Sequence, residues 1–349
     1  MAEINFLPGP VKVSPRVMAA LAAKPFSHRN DAFAKLHADC KERLLRLAKS
    51  KHVALLMGSG TAANAMVAQE LKKIRGKGLV LATGEFGSRL ASQGQKAGLH
   101  FDTLAAKWGH TFALEKIKKH LRGKSWLWLA HCETSTGAIN LDEQLAAHCK
   151  ARNIKLCLDS VSAFGNQEVD FSDVFLASSA SGKGLRGLPG IAMVFYNHEP
   201  TPACEGHEYL DLATYHAATG VPFTFSSNLL SALRAALRAT DYQKKFTQNA
   251  KLAAQIKEWL GANNLQTPLQ NARQADYVWT IEIPKNISSF DLGAKLEKRG
   301  VLVHYKNRYL TQNNWIQIAL MGVCGKKDVS AGLSAFARAL TEHGRPARG

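Results

Sequence analysis

From residue 50 to 200, short apolar runs alternate with amphipathic stretches. "HVALLM" (52–57), "GLVLAT" (78–83), "WLWLAH" (126–131), "IKLCLD" (154–159), "VFLASS" (174–179) and "IAMVFY" (191–196) read as strands. Between them, "TAANAMVAQELKKI" (61–74), "SRLASQGQKAG" (88–98) and "LDEQLAAHCKARN" (141–153) carry apolar residues at helical spacing. Strands that are apolar throughout, joined by amphipathic helices, predict crossover units and a mostly parallel sheet covered on both faces. In such a sheet, ligands bind beyond the carboxyl ends of the strands.

Past residue 226 the pattern changes. One long helical stretch, 227–262, is expected to link the large unit to a small one. After it the chain reads strand (277–284), helix (288–300), strand (301–305), strand (315–320) and helix (327–343), a small α+β unit. The expected division is an N-terminal arm (1–15), a large α/β domain (16–240), and a linker helix with the small C-terminal domain (241–349), whose tail "GRPARG" frays. A length of 349 residues fits more than one core.

Composition narrows the class. The chain is 46% hydrophobic and 21% charged, which is ordinary for a globular protein. No apolar run is long enough to cross a bilayer, and "MAEINFLPGP" lacks the form of a secretory signal. Cysteines 40, 132, 149, 157, 204 and 324 form no C-x-x-C pair, so a reducing cytoplasm is expected, with no disulfide framework and no metal. The net charge of +18 admits a polyanionic partner, but its densest clusters lie on amphipathic helices and no nucleic-acid module is present.

Four segments follow strands, and each has a structural and a chemical reading. "MGSGTAAN" (57–64) opens a helix, so Ser59, Gly60 and Thr61 form either an ordinary turn or a phosphate seat. Asp159 ends an apolar strand, where it caps a turn or faces a cationic ring nitrogen. "HCETSTG" (131–137) places Glu133, Thr134 and Thr136 for turn chemistry or for ligand hydrogen bonds. Lys183 lies in "SSASGKGLRGLPG"; an ammonium brought into a partly desolvated pocket loses pKa and becomes nucleophilic. A phosphate seat, a carboxylate, hydroxyls and an amine match the functional groups of pyridoxal phosphate.

These segments resemble those of class-V pyridoxal-phosphate aminotransferases of fold type I, in the branch of the 2-aminoethylphosphonate–pyruvate and alanine/serine–glyoxylate enzymes. "FLPGPVKVSPRV", "GSGTAAN", "GEFGSR", "HCETSTGAIN", "LDSVSAFG", "SSASGKGLRGLPG" and "PFTFSSNLLSALRAAL" carry the resemblance over nearly the whole chain. It implies that Lys183 binds the cofactor's aldehyde and moves a proton, and that Asp159 keeps the pyridine nitrogen protonated. It further implies that Ser59, Gly60 and Thr61 seat the phosphate, that Phe86 stacks on the ring, and that Thr134 bonds the phenolic oxygen. The family's homodimer would bring Thr224 to the partner's phosphate. The implied reaction moves an amino group from a small anionic donor (2-aminoethylphosphonate, alanine, serine or phosphoserine) to pyruvate or glyoxylate.

The chain departs from the family pattern at two places. Gln317, in "WIQIALMG", stands where the family has a carboxylate-gripping arginine, and an amide does not replace a guanidinium. Lys306 and Arg308, or His28 and Arg29 in "SHRNDAF", are candidate anion ligands in its stead. Gly182 stands where many relatives have Gln or Asn, and Ser181 is the candidate to compensate. The competing readings are a pyridoxal-phosphate lyase or desulfurase, for which Cys324 would be the reactive thiol, and a nucleic-acid or scaffold protein on an enzyme fold.

Overall fold

The computed structural model describes residues 3–203 and 205–343; Cys204 and the tail 344–349 lie outside the described residues. Seven strands form the main sheet, in spatial order His52–Gly58, Gly190–Tyr196, Leu176–Ala180, Lys155–Asp159, Lys124–Ala130, Lys77–Ala82 and Phe101–Ala105. Gly190–Tyr196 runs antiparallel to both of its neighbours, and the other pairings are parallel. Six of the seven strands therefore point one way and share one carboxyl edge.

Alternation along each strand sorts the core into two layers. Leu127 and Leu129 face the layer packed by Phe33, Leu36 and Leu44 of the Asp31–Ala48 helix and by Leu230 and Leu233 of the Ser227–Ala239 helix. Trp126 and Trp128 face the layer packed by Met66 and Val67 of Gly60–Lys72 and Leu90 of Glu85–Lys96. Burying each such leucine or valine contributes about 1.5–3 kcal/mol.

The expected single helix over 227–262 is two helices, Ser227–Ala239 and Tyr242–Ala262. Asp241 breaks it: its carboxylate accepts the Lys244 amide at 3.1 Å and caps the second helix. The second helix packs on the small unit, where Val278–Glu282 pairs antiparallel with Trp315–Ala319 over a separate core that includes Leu252, Ile256, Ile281, Ile316, Leu333 and Phe336. The 301–305 strand shrinks to Val301–Leu302, paired parallel with Ile4–Asn5. The N-terminal segment thus crosses to the small unit, with Ile4 and Phe6 in its core.

Candidate active site

Two cavities, of about 380 and 400 Å³, lie beyond the shared carboxyl edge and have Ser59, Gly60, Phe86, Thr134, Val161 and Lys183 in common. Strand ends and the turns after them supply most of this wall. Ser59 caps the Gly60–Lys72 helix without a side-chain cap bond, so its hydroxyl and the first-turn amides remain for a ligand. The turn is tight: a Cβ on Gly60 would lie 2.6 Å from Val161 Cγ2.

Asp159 is 9% exposed. Its Oδ2 accepts from Asn64 Nδ2 at 2.9 Å and its Oδ1 from the Val161 amide at 3.0 Å. The Ser178 hydroxyl donates to Asn64 Oδ1 at 2.5 Å, which fixes that amide and aims its NH₂ at the carboxylate. Burial raises the Asp159 pKa; the Asn64 bond, the Val161 amide and the charge of Lys183 oppose the rise. Lys183 Nζ donates to Ser162 Oγ at 3.2 Å and lies 5.6 Å from the Phe86 ring centroid. Desolvation lowers its pKa, against the attraction of Asp159. Ser162 and Thr134 share a short hydroxyl–hydroxyl hydrogen bond. An amine made more available as the free base thus sits near a buried carboxylate, a pair of coupled hydroxyls and an aromatic face.

Of the 131–137 candidates, only Thr134 reaches the cavities. Glu133, fully buried, accepts the Phe86 and Gly87 amides at 3.2 and 2.9 Å and the Ser135 hydroxyl at 2.6 Å. Its carboxylate holds the start of the Glu85–Lys96 helix, and with it the Phe86 ring. Thr136 donates to the Glu133 carbonyl at 3.4 Å, which is turn chemistry.

The remaining candidates are placed as follows. Ser181 does not line either cavity: its hydroxyl donates to the Leu188 carbonyl at 2.5 Å and accepts the Ile191 amide at 3.2 Å. Gly182 has a packing reason, since a Cβ there would meet Pro189 at 2.9–3.1 Å. Gln or Asn has no room at that position while Pro189 stands behind it. Thr224 is exposed and outside both cavities. Arg29 donates to the Val221 carbonyl at 2.9 Å, and His28 packs edge-on against Phe33, neither lining a cavity. Lys306 is exposed and paired with Glu297 at 2.9 Å; Arg308 is exposed. Their neighbours His304 and Tyr309 line the first cavity instead, with Gln317. Cys324 is buried outside both cavities, its thiol pushed up to about 12 by burial.

Sequence reasoning passed over Asn64, Ser162, Arg89 and Lys96, although the first three stand in segments it singled out. Arg89 and Lys96 line the second cavity, along one face of the Glu85–Lys96 helix, and Arg89 lies 5.1 Å from the Phe86 ring centroid. The signal was their seven-residue spacing, two helical turns. Pro8, Gly9 and Pro10 of the N-terminal segment close the first cavity. Among the described residues no cluster of His, Cys, Asp and Glu suits a metal ion, and no helix is long and apolar enough to cross a membrane.

This arrangement has relatives. A 2-aminoethylphosphonate–pyruvate transaminase of Pseudomonas putida strain F1 is 29% identical to the chain, over 98% of each. The crystal structure of a subgroup IV aspartate aminotransferase from Thermus thermophilus superposes with a TM-score of 0.87 at 25% identity, covering 97% of this chain and 99% of that one. An alanine–glyoxylate aminotransferase from Nostoc sp. shares the fold, with a TM-score of 0.88 at 24% identity over 97% of this chain and 96% of its own. The class-V aminotransferase family model matches residues 16–305. With its fold type I sheet and Lys183 at the shared edge, this chain belongs to the class-V aminotransferase family and is a transaminase.

Proposed function

We propose that the protein uses pyridoxal phosphate to move an amino group from a small amino donor to a 2-oxo acid such as pyruvate or glyoxylate. The observation that carries this reading is the meeting of Lys183, Asp159, Thr134, Phe86 and the Ser59–Gly60–Thr61 turn around paired cavities. The donor set fits the cofactor: Ser59, Gly60 and Thr61 would hold its phosphate, Asp159 its ring nitrogen, Thr134 its phenolic oxygen, Phe86 its face and Lys183 its aldehyde. When bound, the cofactor supplies an aldehyde that condenses with amines and a ring that withdraws electrons.

The chain's own residues do the rest. Lys183, its pKa lowered by desolvation, takes a proton at Nζ and returns it, while Ser162 Oγ orients that amine. Asn64 and the Val161 amide aim the Asp159 carboxylate into the cavity. Glu133 fixes the position of Phe86 through the backbone. Arg89 and Lys96, which line the second cavity, receive anionic groups brought into the site. As in the family it resembles, the protein acts as a homodimer, and Thr224, His28 and Arg29 serve the partner's site. The named relative supports 2-aminoethylphosphonate as a donor to test first.

The test is a visible absorption spectrum of the purified protein during titration with amino donors. The expected result is a visible absorbance that one donor bleaches reversibly until a 2-oxo acid restores it, and that borohydride, in a separate sample, abolishes while fixing the cofactor irreversibly to Lys183. Bleaching with release of ammonia or sulfide instead would establish the lyase alternative. The buried Cys324, outside both cavities, offers that alternative no accessible thiol.

A further inference from the structure

Gln317 lies in the Trp315–Ala319 strand, fully buried at the floor of the first cavity. Its neighbours dictate how its amide points. The Thr280 hydroxyl donates to the Ser135 carbonyl at 2.9 Å, so its oxygen is left to accept. The Thr134 carbonyl has no proton to give. Gln317 Nε2 donates to both, at 2.8 and 2.5 Å, which uses both of its protons. Turning the amide over would set its oxygen against the Thr134 carbonyl, acceptor against acceptor. What remains is Oε1, a buried acceptor without a donor. Such a group is costly and calls for a partner.

The surroundings limit what that partner is. His304 pairs with Gln317 through the backbone, each amide donating to the other's carbonyl at 2.9 Å, so both side chains stand on one face. Burial and the nearby charge of Lys183 lower His304 to about 4, leaving it uncharged at neutral pH. Burial raises Tyr309, which keeps its proton. Among the described residues no acidic side chain lines this cavity, and its one cation is Lys183. A carboxylate set against Oε1 would place lone pairs on lone pairs away from water. A cation would be repelled by Lys183.

We infer that Gln317 is a specificity-determining residue: its Oε1 seats a neutral N–H- or O–H-donating group of the substrate, a carboxamide or a hydroxyl, and turns a carboxylate away from that place. This rests on the transaminase reading only in calling the occupant a substrate.

The test separates binding from turnover. Propionamide and propionate carry no amine, ketone or hydroxyl, so both report binding without reaction and only the amide has a proton to donate. Calorimetry on the purified protein, with and without added pyridoxal phosphate, is expected to show propionamide binding about tenfold tighter than propionate. Gln317→Leu, close in volume, erases the difference, and Gln317→Arg reverses it; thermal unfolding confirms that each variant is folded. Equal or tighter binding of propionate, no binding of either ligand, or a preference that survives in Gln317→Leu overturns the inference. Alanine and alaninamide, offered in parallel as amino donors, test the activity itself. A propionamide preference without transamination of any donor would sink the proposed function and leave the role of Gln317 standing.

Discussion

The ammonium of Lys245 donates to the carbonyl of Gly184, the residue after Lys183, at 2.5 Å. It also donates to the Gly165 carbonyl at 2.7 Å and to Asn166 Oδ1 at 2.8 Å. Lys245 is 2% exposed, so one buried cation ties together the turn that carries Lys183 and the loop that follows Asp159. The two backbones touch: a Cβ on Gly184 would lie 2.3 Å from the Phe164 carbonyl oxygen.

Lys245→Met removes the one donor that these three oxygens share among the described residues. The expected loss is about 2–4 kcal/mol of stability, since buried acceptors are left unpaired while the cost of burying the ammonium is relieved. Thermal unfolding of the cofactor-free protein measures it. A stability within about 0.5 kcal/mol of the parent, a typical surface value, would show that water replaces the ammonium.

At Gly182 the expectation is set by packing. Gly182→Asn forces its Cβ into Pro189, whose backbone atoms lie at 3.0–3.1 Å. The variant should lose cofactor affinity by tenfold or more, in the order of about 1.4 kcal/mol, because the Lys183 turn shifts. Equilibrium dialysis against pyridoxal phosphate reads this directly. Tighter binding would mean that the Asn reaches the phosphate and that Pro189 gives way.

The cations divide in the same manner. Arg89→Ala should raise KM for an anionic donor about tenfold, through loss of a charge lining the second cavity. Lys306→Ala should leave KM within about twofold, because an exposed pair such as that with Glu297 contributes little. Steady-state kinetics on both variants with one anionic donor decides; the reverse order would return the role to the 306–308 loop.

Acid should destabilise the fold through buried neutral histidines. Burial lowers His131 from 6.5 to about 4, with the charge of Arg273 adding to it, and its ring nitrogens contact Ser160 Oγ at 3.3 Å and Gln167 Nε2 at 3.0 Å. A pKa lower in the folded state means that the unfolded chain binds the proton first. Stability is therefore full above pH 6.5, falls as pH drops towards 4, and falls no further on this account below that. The loss from His131 is about 3 kcal/mol. Unfolding midpoints from pH 7 to 4 should decline less steeply in His131→Gln than in the parent; parallel declines would place the titration elsewhere, such as at His37, also lowered to about 4.

Much of this architecture was legible in the chain. Apolar runs such as "WLWLAH" need burial on both faces, and period-two alternation alone sends Trp126 and Trp128 one way and Leu127 and Leu129 the other. Small residues after strands marked the Ser59, Asp159 and Lys183 turns, because only turns with free amides and short side chains let a ligand approach. The break at Asp241 was masked by unbroken apolar spacing, which a cap interrupts without changing composition.

Partner choice was not legible. Glu133, Thr134 and Thr136 are neighbours of similar polarity, yet one carboxylate is spent on backbone amides, one hydroxyl faces the cavities and one closes a turn. Lys306 and Arg308 share a segment with His304 and Tyr309, and only the latter two line a cavity. By itself the sequence determined periodicity, the sheet edge and the chemical inventory, since these follow from local geometry and hydropathy. The tertiary structure alone decided which polar atoms are satisfied internally and which, like Gln317 Oε1, are left without a donor, because that depends on residues such as Thr134, Thr280 and Gln317 meeting across separations that no local pattern records.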